Sequence, residues 1–141
     1  MTVSKQWIAA AVLVLACTAH AQTSPLYQSL GEKPGITAMV GDFVERLKAN
    51  PRIGKMFDNI KASYLKEQLT QQLCEVSGGP CVYDGETMKN SHAQLGIDKA
   101  QFHLLVEILQ TTMDAHGIAF TAQNQLLAKL APMHREIITA H

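Results

Sequence analysis

The residue in this sequence best placed for chemistry is His92, within the stretch 88–97. Met88, His92 and Leu95 are four and three residues apart, so the spacing predicts that they share one face of a short helix. Gly96 then offers the left-handed conformation that ends many helices. A histidine with apolar neighbours can ligate a group lying against that face, although a lone histidine is more often an ordinary core residue.

The segments around this histidine have the pattern of helices of unequal length. Apolar residues recur at three- and four-residue steps, and no stretch alternates with a two-residue period, so the sequence predicts an all-α fold. Ser63 is the predicted N-cap of the third helix and Asp98 that of the long helix after Gly96, and Pro132 is predicted to kink the last helix. The predicted helices cover residues 26–30, about 36–47, 63–76, a short stretch ending at Gly96, 98–117 and 121–138.

A glycine-rich break separates the third helix from the histidine. Ser-Gly-Gly-Pro at 77–80 ends the helix, and a loop over 81–87 follows. Cys74 and Cys81 bracket this turn, so an oxidising compartment favours a disulfide between them, and two free thiols are the alternative. A helical bundle that binds nothing needs neither the break, the loop nor a very short helix in order to pack.

The beginning of the chain is typical of a secretory signal peptide. Lys5 precedes an apolar run at 8–17, and Ala-His-Ala at 19–21 predicts cleavage after Ala21. A retained membrane anchor fits less well, because the run is short for a bilayer. A lipoprotein site at Cys17 also fits less well, because Leu15 and Ala16 match such a site only loosely and the Ala-x-Ala site matches better. We therefore expect a domain over 22–141 that is periplasmic or otherwise exported.

The charge balance of that domain limits its partners. Of 12 basic residues Lys5 leaves with the peptide, so 11 remain against 12 acidic ones. A nearly neutral domain lacks the basic surface that nucleic-acid binding usually needs, so we expect no nucleic acid as partner. We also expect no membrane association once the signal peptide is removed.

Several short motifs follow one another in a specific order. They are Leu-Tyr-x-x-Leu-Gly from Leu26, Asp42-Phe43, Phe57 after Pro51, Leu65-Lys66, Ser-Gly-Gly-Pro at 77–80, and Tyr83-x-Gly85-x-x-Met88-Lys89-x-x-His92-x-x-Leu95-Gly96-Ile97. With these motifs, residues 26 to about 139 resemble a truncated haemoglobin of the first group. The resemblance implies a globin-like fold, the truncated two-over-two helical sandwich.

The resemblance also implies a haem b, one per chain, with His92 as the proximal iron ligand. Its second ring nitrogen is then expected to donate to a backbone carbonyl near Met88. Lys66 or Lys89 could pair with a haem propionate, although exposed lysines are usually solvated. The haem-wall positions of the family correspond to Phe43, Phe57, Leu65, Leu69, Met88, Leu95, Ile97, Phe102 and Leu105.

The distal side departs from the family pattern. Val44 and Leu69 stand where many members carry a tyrosine and a glutamine that hold bound oxygen. Gln68 and Gln72 remain as polar candidates, and glutamine is a poor iron ligand. Near the start, the usual pair of glycines is reduced to Gly31 before a glutamate.

Three functions are compatible with these residues. The resemblance implies a protein that reversibly binds oxygen, nitric oxide or carbon monoxide, more a gas-binding protein than a dedicated enzyme. The alternatives are a haem enzyme that oxidises nitric oxide or reduces peroxide, and a haem-free helical interaction module. An acid–base residue for peroxide chemistry is not apparent. The remaining histidines are expected at the surface: His103, His116, His134 and His141.

Overall fold

The computed structural model describes residues 23–140, so the proposed signal peptide lies outside the described residues. Within this range the secondary structure is helical and no strand is present. The helices are α1 (Pro25–Ser29), α2 (Glu32–Ala49), α3 (Ala62–Val76), α4 (Met88–His92), α5 (Lys99–Ala115), α6 (Phe120–Leu130) and α7 (His134–Ile137), with 3-10 turns at Gly54–Phe57 and Ala131–Met133.

Two helix pairs form the body of the molecule. Helix α2 packs along α3, and α5 packs against α6. The pairs meet where α2 contacts α5 and where α3 contacts α6, while α1 bridges α2 and α6. This is the two-over-two sandwich that the sequence predicts, and the all-α prediction is confirmed.

The core lies between these pairs and is dominated by α2. Six α2 residues are at most 3% exposed, and they recur at the three- and four-residue steps read from the sequence. Burial of each such side chain contributes about 1.5–3 kcal/mol. They are Ile36, Met39, Val40, Phe43, Val44 and Leu47, and they pack with Leu73, Leu109, Met113 and Leu126.

The corner between α1 and α2 shows how the missing glycine is accommodated. Gly31 has φ 78° and Glu32 has φ 57°, so both residues adopt left-handed backbone although only one is a glycine. The buried Tyr27 hydroxyl accepts a hydrogen bond of 2.9 Å from the backbone N–H of Lys33. One of the amides that a helix start leaves unpaired is thereby satisfied, so the turn forms despite the glutamate.

The N-terminal caps agree with the sequence at one helix and disagree at another. Asp98 caps α5 through a reciprocal capping box with Gln101, at 2.8 and 2.9 Å. The predicted N-cap at Ser63 is wrong, because α3 begins at Ala62 and extended Lys61 precedes it without a side-chain cap. Packing of α3 along α2, rather than a local cap, sets where this helix starts.

The last helical segment breaks instead of kinking. Pro132 lies in a 3-10 turn between α6 and the four-residue α7. Proline removes one amide donor and clashes with the preceding turn, so α6 cannot continue through it. The break brings α7 into contact with α4.

Candidate functional site

Helix α4 carries His92 and is too short to be stable by itself. It has five residues, none of them buried. Its first turn is held by Thr87, whose side chain accepts from the Asn90 N–H at 3.1 Å. Isolated helices of this length do not form in water, so contacts with neighbouring segments must stabilise α4.

The imidazole of His92 is oriented by its own helix. Nδ1 lies 2.8 Å from the backbone oxygen of Met88 and 2.9 Å from the Ser91 hydroxyl. A carbonyl oxygen can only accept, so the neutral ring carries its proton on Nδ1. Nε2 then holds a lone pair, and it has no hydrogen-bond partner among the described residues. The half-buried ring therefore presents one unused nitrogen.

One turn before His92, the α4 helix is connected to α3. The Gln72 side chain is 9% exposed, and its amide nitrogen lies 3.3 Å from the sulfur of Met88. The same nitrogen lies 3.8 Å from the sulfur of Met133. Gln72 therefore holds the start of α4 beside α3, and its amide hydrogens point at thioether sulfurs.

The residues predicted to form an apolar wall are buried to different extents. Phe43 and Ile97 are buried, whereas Leu95 is 46% exposed. The prediction that Leu95 shares the face of the histidine helix is wrong, because α4 ends at His92 and a turn follows. Gly96, expected as the cap, has φ 59° but comes four residues after the helix end. Half-buried members are Phe57, Leu65, Leu69, Met88, Phe102 and Leu105.

The distal candidates occupy different environments. Val44 has no exposed surface and belongs to the core. The Gln68 side-chain oxygen is buried and has no hydrogen-bond partner among the described residues. A Cβ built on Gly85 would collide with that oxygen and with the Tyr83 ring, so this loop lies directly against Gln68. An unpartnered buried oxygen costs about 1–3 kcal/mol, which marks Gln68 as the less satisfied glutamine.

Tyr83 lies in the loop that leads to α4. Its hydroxyl donates to the backbone oxygen of Glu86 at 2.7 Å, just before the cap of that helix. Burial raises the pKa of Tyr83 above its usual value, and the nearby Tyr64 adds to the effect. The hydroxyl therefore stays protonated and able to donate throughout the physiological pH range.

The two lysines considered for a propionate differ. Lys66 donates to a carboxylate oxygen of Glu45 at 2.7 Å. This hydrogen bond and the lysine charge lower the pKa of Glu45. Lys89 is exposed on α4. In this structure Lys66 already has a carboxylate partner, which sequence reading did not anticipate.

The two cysteines expected to pair are joined in the structure. Cys74 and Cys81 form a disulfide with Cα atoms 5.8 Å apart. It fixes the loop to the last turn of α3, since Cys74 lies within that helix. The glycine break between them has Gly78 at φ 85°, and Ser24 donates its N–H to the oxygen of Gly78 at 3.4 Å.

These side chains fit a haem better than an ion bound by protein alone. Within residues 23–140, no group of three or more histidine, cysteine, aspartate or glutamate side chains is gathered for metal binding. A haem needs only one axial imidazole, because the macrocycle supplies the other nitrogens. Nε2 of His92 can be that ligand, and the half-buried apolar side chains can cover the ring. Also among the described residues, no helix has the length and apolarity to span a bilayer.

The two-over-two helical sandwich is the architecture of the truncated globins, a class of haem-binding proteins. The chain belongs to the bacterial-like globin family, whose model matches residues 25–139. It is 26% identical over 126 residues to the group 1 truncated hemoglobin of Mycolicibacterium paratuberculosis, covering 89% of this chain and 93% of that protein.

Solved structures give the same fold. The truncated hemoglobin of Tetrahymena pyriformis in the Fe(III) form has a TM-score of 0.77 at 23% identity, covering 80% of this chain and 97% of that one. The 2/2 hemoglobin of a Synechococcus species, which carries covalently attached heme, has a TM-score of 0.75 at 18% identity. That alignment covers 80% of this chain and 97% of the cyanobacterial one.

Sequence reading missed some residues around the site. Ser91 is adjacent to the histidine, yet a serine at that position gave no signal by itself. Thr139 contacts the segment after α4 from 42 positions along the chain, so no local pattern could show it. Of the histidines expected at the surface, His103, His116 and His134 are exposed. His141 lies outside the described residues.

Proposed function

We propose that this protein holds one haem b through His92 and reversibly binds a diatomic gas, oxygen, nitric oxide or carbon monoxide, at the opposite face of the iron. The observation that carries the proposal is the commitment of Nδ1 to the Met88 oxygen at 2.8 Å, which leaves Nε2 for the metal. Membership of the bacterial-like globin family supports it. When bound, the haem supplies the iron centre.

The residues of the chain serve this function by orientation and by exclusion of water. The Met88 carbonyl fixes the tautomer and limits rotation of the His92 ring, as hydrogen bonds to the second nitrogen of a histidine ligand commonly do. Phe57 and Leu105, both half-buried and packed on the core, present apolar surface to the macrocycle. When a haem is bound, apolar side chains around it would favour a neutral gas over water as its ligand.

Gln68 is the residue we assign to the gas side. Its side-chain oxygen lacks a hydrogen-bond partner, so turning the amide would break no hydrogen bond of that oxygen, and its N–H₂ group would then be a donor for a polar ligand. Gln72 is already engaged with the sulfur of Met88. Val44 and Leu69 offer no donor, so this side is less polar than in relatives that carry a tyrosine and a glutamine there.

The test is an absorbance spectrum of the purified full chain, with and without one substitution. We expect a strong Soret band with a stoichiometry of one haem per chain. His92→Ala should abolish the stoichiometric, histidine-ligated spectrum, because it removes the Nε2 that we assign to the iron. His103→Ala is the matched control, since His103 is an exposed histidine on α5. Normal haem content and unchanged bands in His92→Ala would contradict the proposal.

Ligand titration follows on the same material. Carbon monoxide added to the reduced protein should shift the bands, and removal of the gas should restore them. Nitric-oxide consumption in the presence of a reductase would show turnover instead of reversible binding. A wild-type chain without a Soret band would leave only the haem-free interaction module.

We further propose that the chain is exported and cleaved after Ala21. The disulfide between Cys74 and Cys81 supports this, because such bonds persist in oxidising compartments. Expression of the full chain in a bacterium, followed by mass measurement of the periplasmic product, is the test. A mature protein should begin at Gln22, and an intact chain confined to the cytoplasm would argue against export.

A further inference from the structure

The segment just after the proximal helix is held by a distant part of the chain. The backbone N–H of Ile97 donates to the Thr139 hydroxyl oxygen at 3.2 Å. The oxygen of Ile97 accepts from the N–H groups of Thr139 and Ala140, at 2.9 and 3.0 Å. Both polar backbone groups of this buried residue are thereby satisfied by residues 139–140.

Little else fixes the chain between His92 and Ile97. Within it, the Leu95 N–H donates to the His92 oxygen at 3.2 Å. Gly96 is left-handed and exposed, and a Cβ built on it would meet no atom within 4 Å. The segment has no side chain packed into the core before Ile97. Its far end is held by the buried side chain of Ile97, by the Asp98–Gln101 capping box that follows, and by the three hydrogen bonds to residues 139–140.

The histidine thus lies between two anchors. On one side Gln72 holds Met88, whose oxygen accepts from the imidazole. On the other side Thr139 holds Ile97, and α7 lies against α4 on the way to it. Release of either anchor frees one end of a helix that has no buried residue of its own.

We propose that Thr139 is a positioning residue for His92, acting through Ile97 to set the height and tilt of the imidazole over the haem. This proposal rests on the proposed function. Thr139 contributes its hydroxyl oxygen as an acceptor and its N–H as a donor, so it bonds both the N–H and the C=O of Ile97.

The experiment compares Thr139→Val with Thr139→Ser in the haem-loaded full chain. Valine keeps the shape of the threonine side chain but removes the hydroxyl oxygen that accepts from Ile97, whereas serine keeps this hydroxyl. In Thr139→Val we expect faster amide exchange at Ile97 and a shifted iron–histidine stretching frequency. Haem loss to a globin acceptor should be up to roughly tenfold faster, which corresponds to the free energy of one ordinary hydrogen bond. Thr139→Ser should stay near wild type.

Thr37→Val is the matched control, since Thr37 is an exposed threonine whose hydroxyl bonds only its own helix. If Thr139→Val fails to fold, Ala140→Pro removes a single donor to Ile97 and should give a smaller change in the same direction. If Thr139→Val loses haem at the wild-type rate and keeps the wild-type stretching frequency, this inference is wrong, whereas the proposed function still stands. The same holds for Ala140→Pro where it is used in place of Thr139→Val. A wild-type chain that binds no haem would overturn the proposed function and the inference with it.

Discussion

At the scale of single residues, Glu32 is the position where the chain accepts strain. It is the only non-glycine residue with positive φ among residues 23–140. Left-handed backbone costs an L-residue with a side chain roughly 1–2 kcal/mol. The buried Tyr27 hydroxyl and the left-handed Gly31 on either side hold it there. The usual family pattern of two glycines explains the left-handed backbone at position 32, since a second glycine would adopt this conformation without strain.

Glu32→Gly should therefore be more stable than Glu32→Ala by about 1 kcal/mol, because glycine alone is unstrained at this φ. Both variants remove the same charge, so their difference isolates the backbone. The measurement is the free energy of unfolding in urea. At exposed Glu67, inside α3, the order should reverse, with alanine more stable by about 1 kcal/mol. Equal stabilities at position 32 would show that the strain is absent in solution.

At the scale of elements, the loop between α3 and α4 is the least secured connection of the site. It has no regular structure over residues 81–87, and it leads through the N-cap Thr87 into α4. The disulfide ties its first residue to α3, and the Tyr83 hydroxyl bonds the Glu86 oxygen at its other end. Between these points Gly85 lies directly against the Gln68 side chain of α3.

Removal of the disulfide should lower stability by about 2–3 kcal/mol, the chain-entropy value for so short a closed loop. Denaturation of the wild-type chain with and without a dithiol reductant measures the loss. The double variant Cys74→Ala and Cys81→Ala is the control and should not respond to reductant. Two freely alkylated thiols in the untreated wild-type protein would refute the bond itself.

Element boundaries also show what sequence reading can and cannot provide. Asp98 and Gln101 lie within one turn, so a local sequence pattern can indicate their capping box. The start of α3 is decided by packing on α2, and Ser63 was a misleading local signal. His92 was found because its motif is local. The hydrogen bonds between Thr139 and Ile97 were not predicted, because they depend on the break at Pro132 and on how α7 folds back.

At the scale of the whole molecule, one side of the core remains incompletely covered. Phe57, Leu65 and Leu69 pack on the buried cluster yet keep part of their surface exposed. Each Å² of apolar surface that stays in water fails to contribute about 25 cal/mol of burial free energy. A haem lying on these side chains would complete the core, so cofactor binding and folding stability are coupled.

We therefore expect the melting temperature to rise with haem concentration. Haem at 100 times its dissociation constant should stabilise the folded state by about 2.7 kcal/mol, because it binds only that state. Calorimetry of the haem-free and haem-loaded chain measures the difference. His92→Ala should lose most of the gain, while His103→Ala should keep it. Identical melting curves with and without haem would contradict this coupling.

The hydrogen bonds between Ile97 and residues 139–140 also impose an order on biosynthesis. They join positions 42 residues apart. At roughly 5–20 residues per second, a ribosome takes about 2 to 8 seconds to add that length of chain. During this interval His92 has already been made, but the contact that holds its segment cannot form. We therefore expect the segment that follows α4 to gain these hydrogen bonds only after residue 140 has left the ribosome.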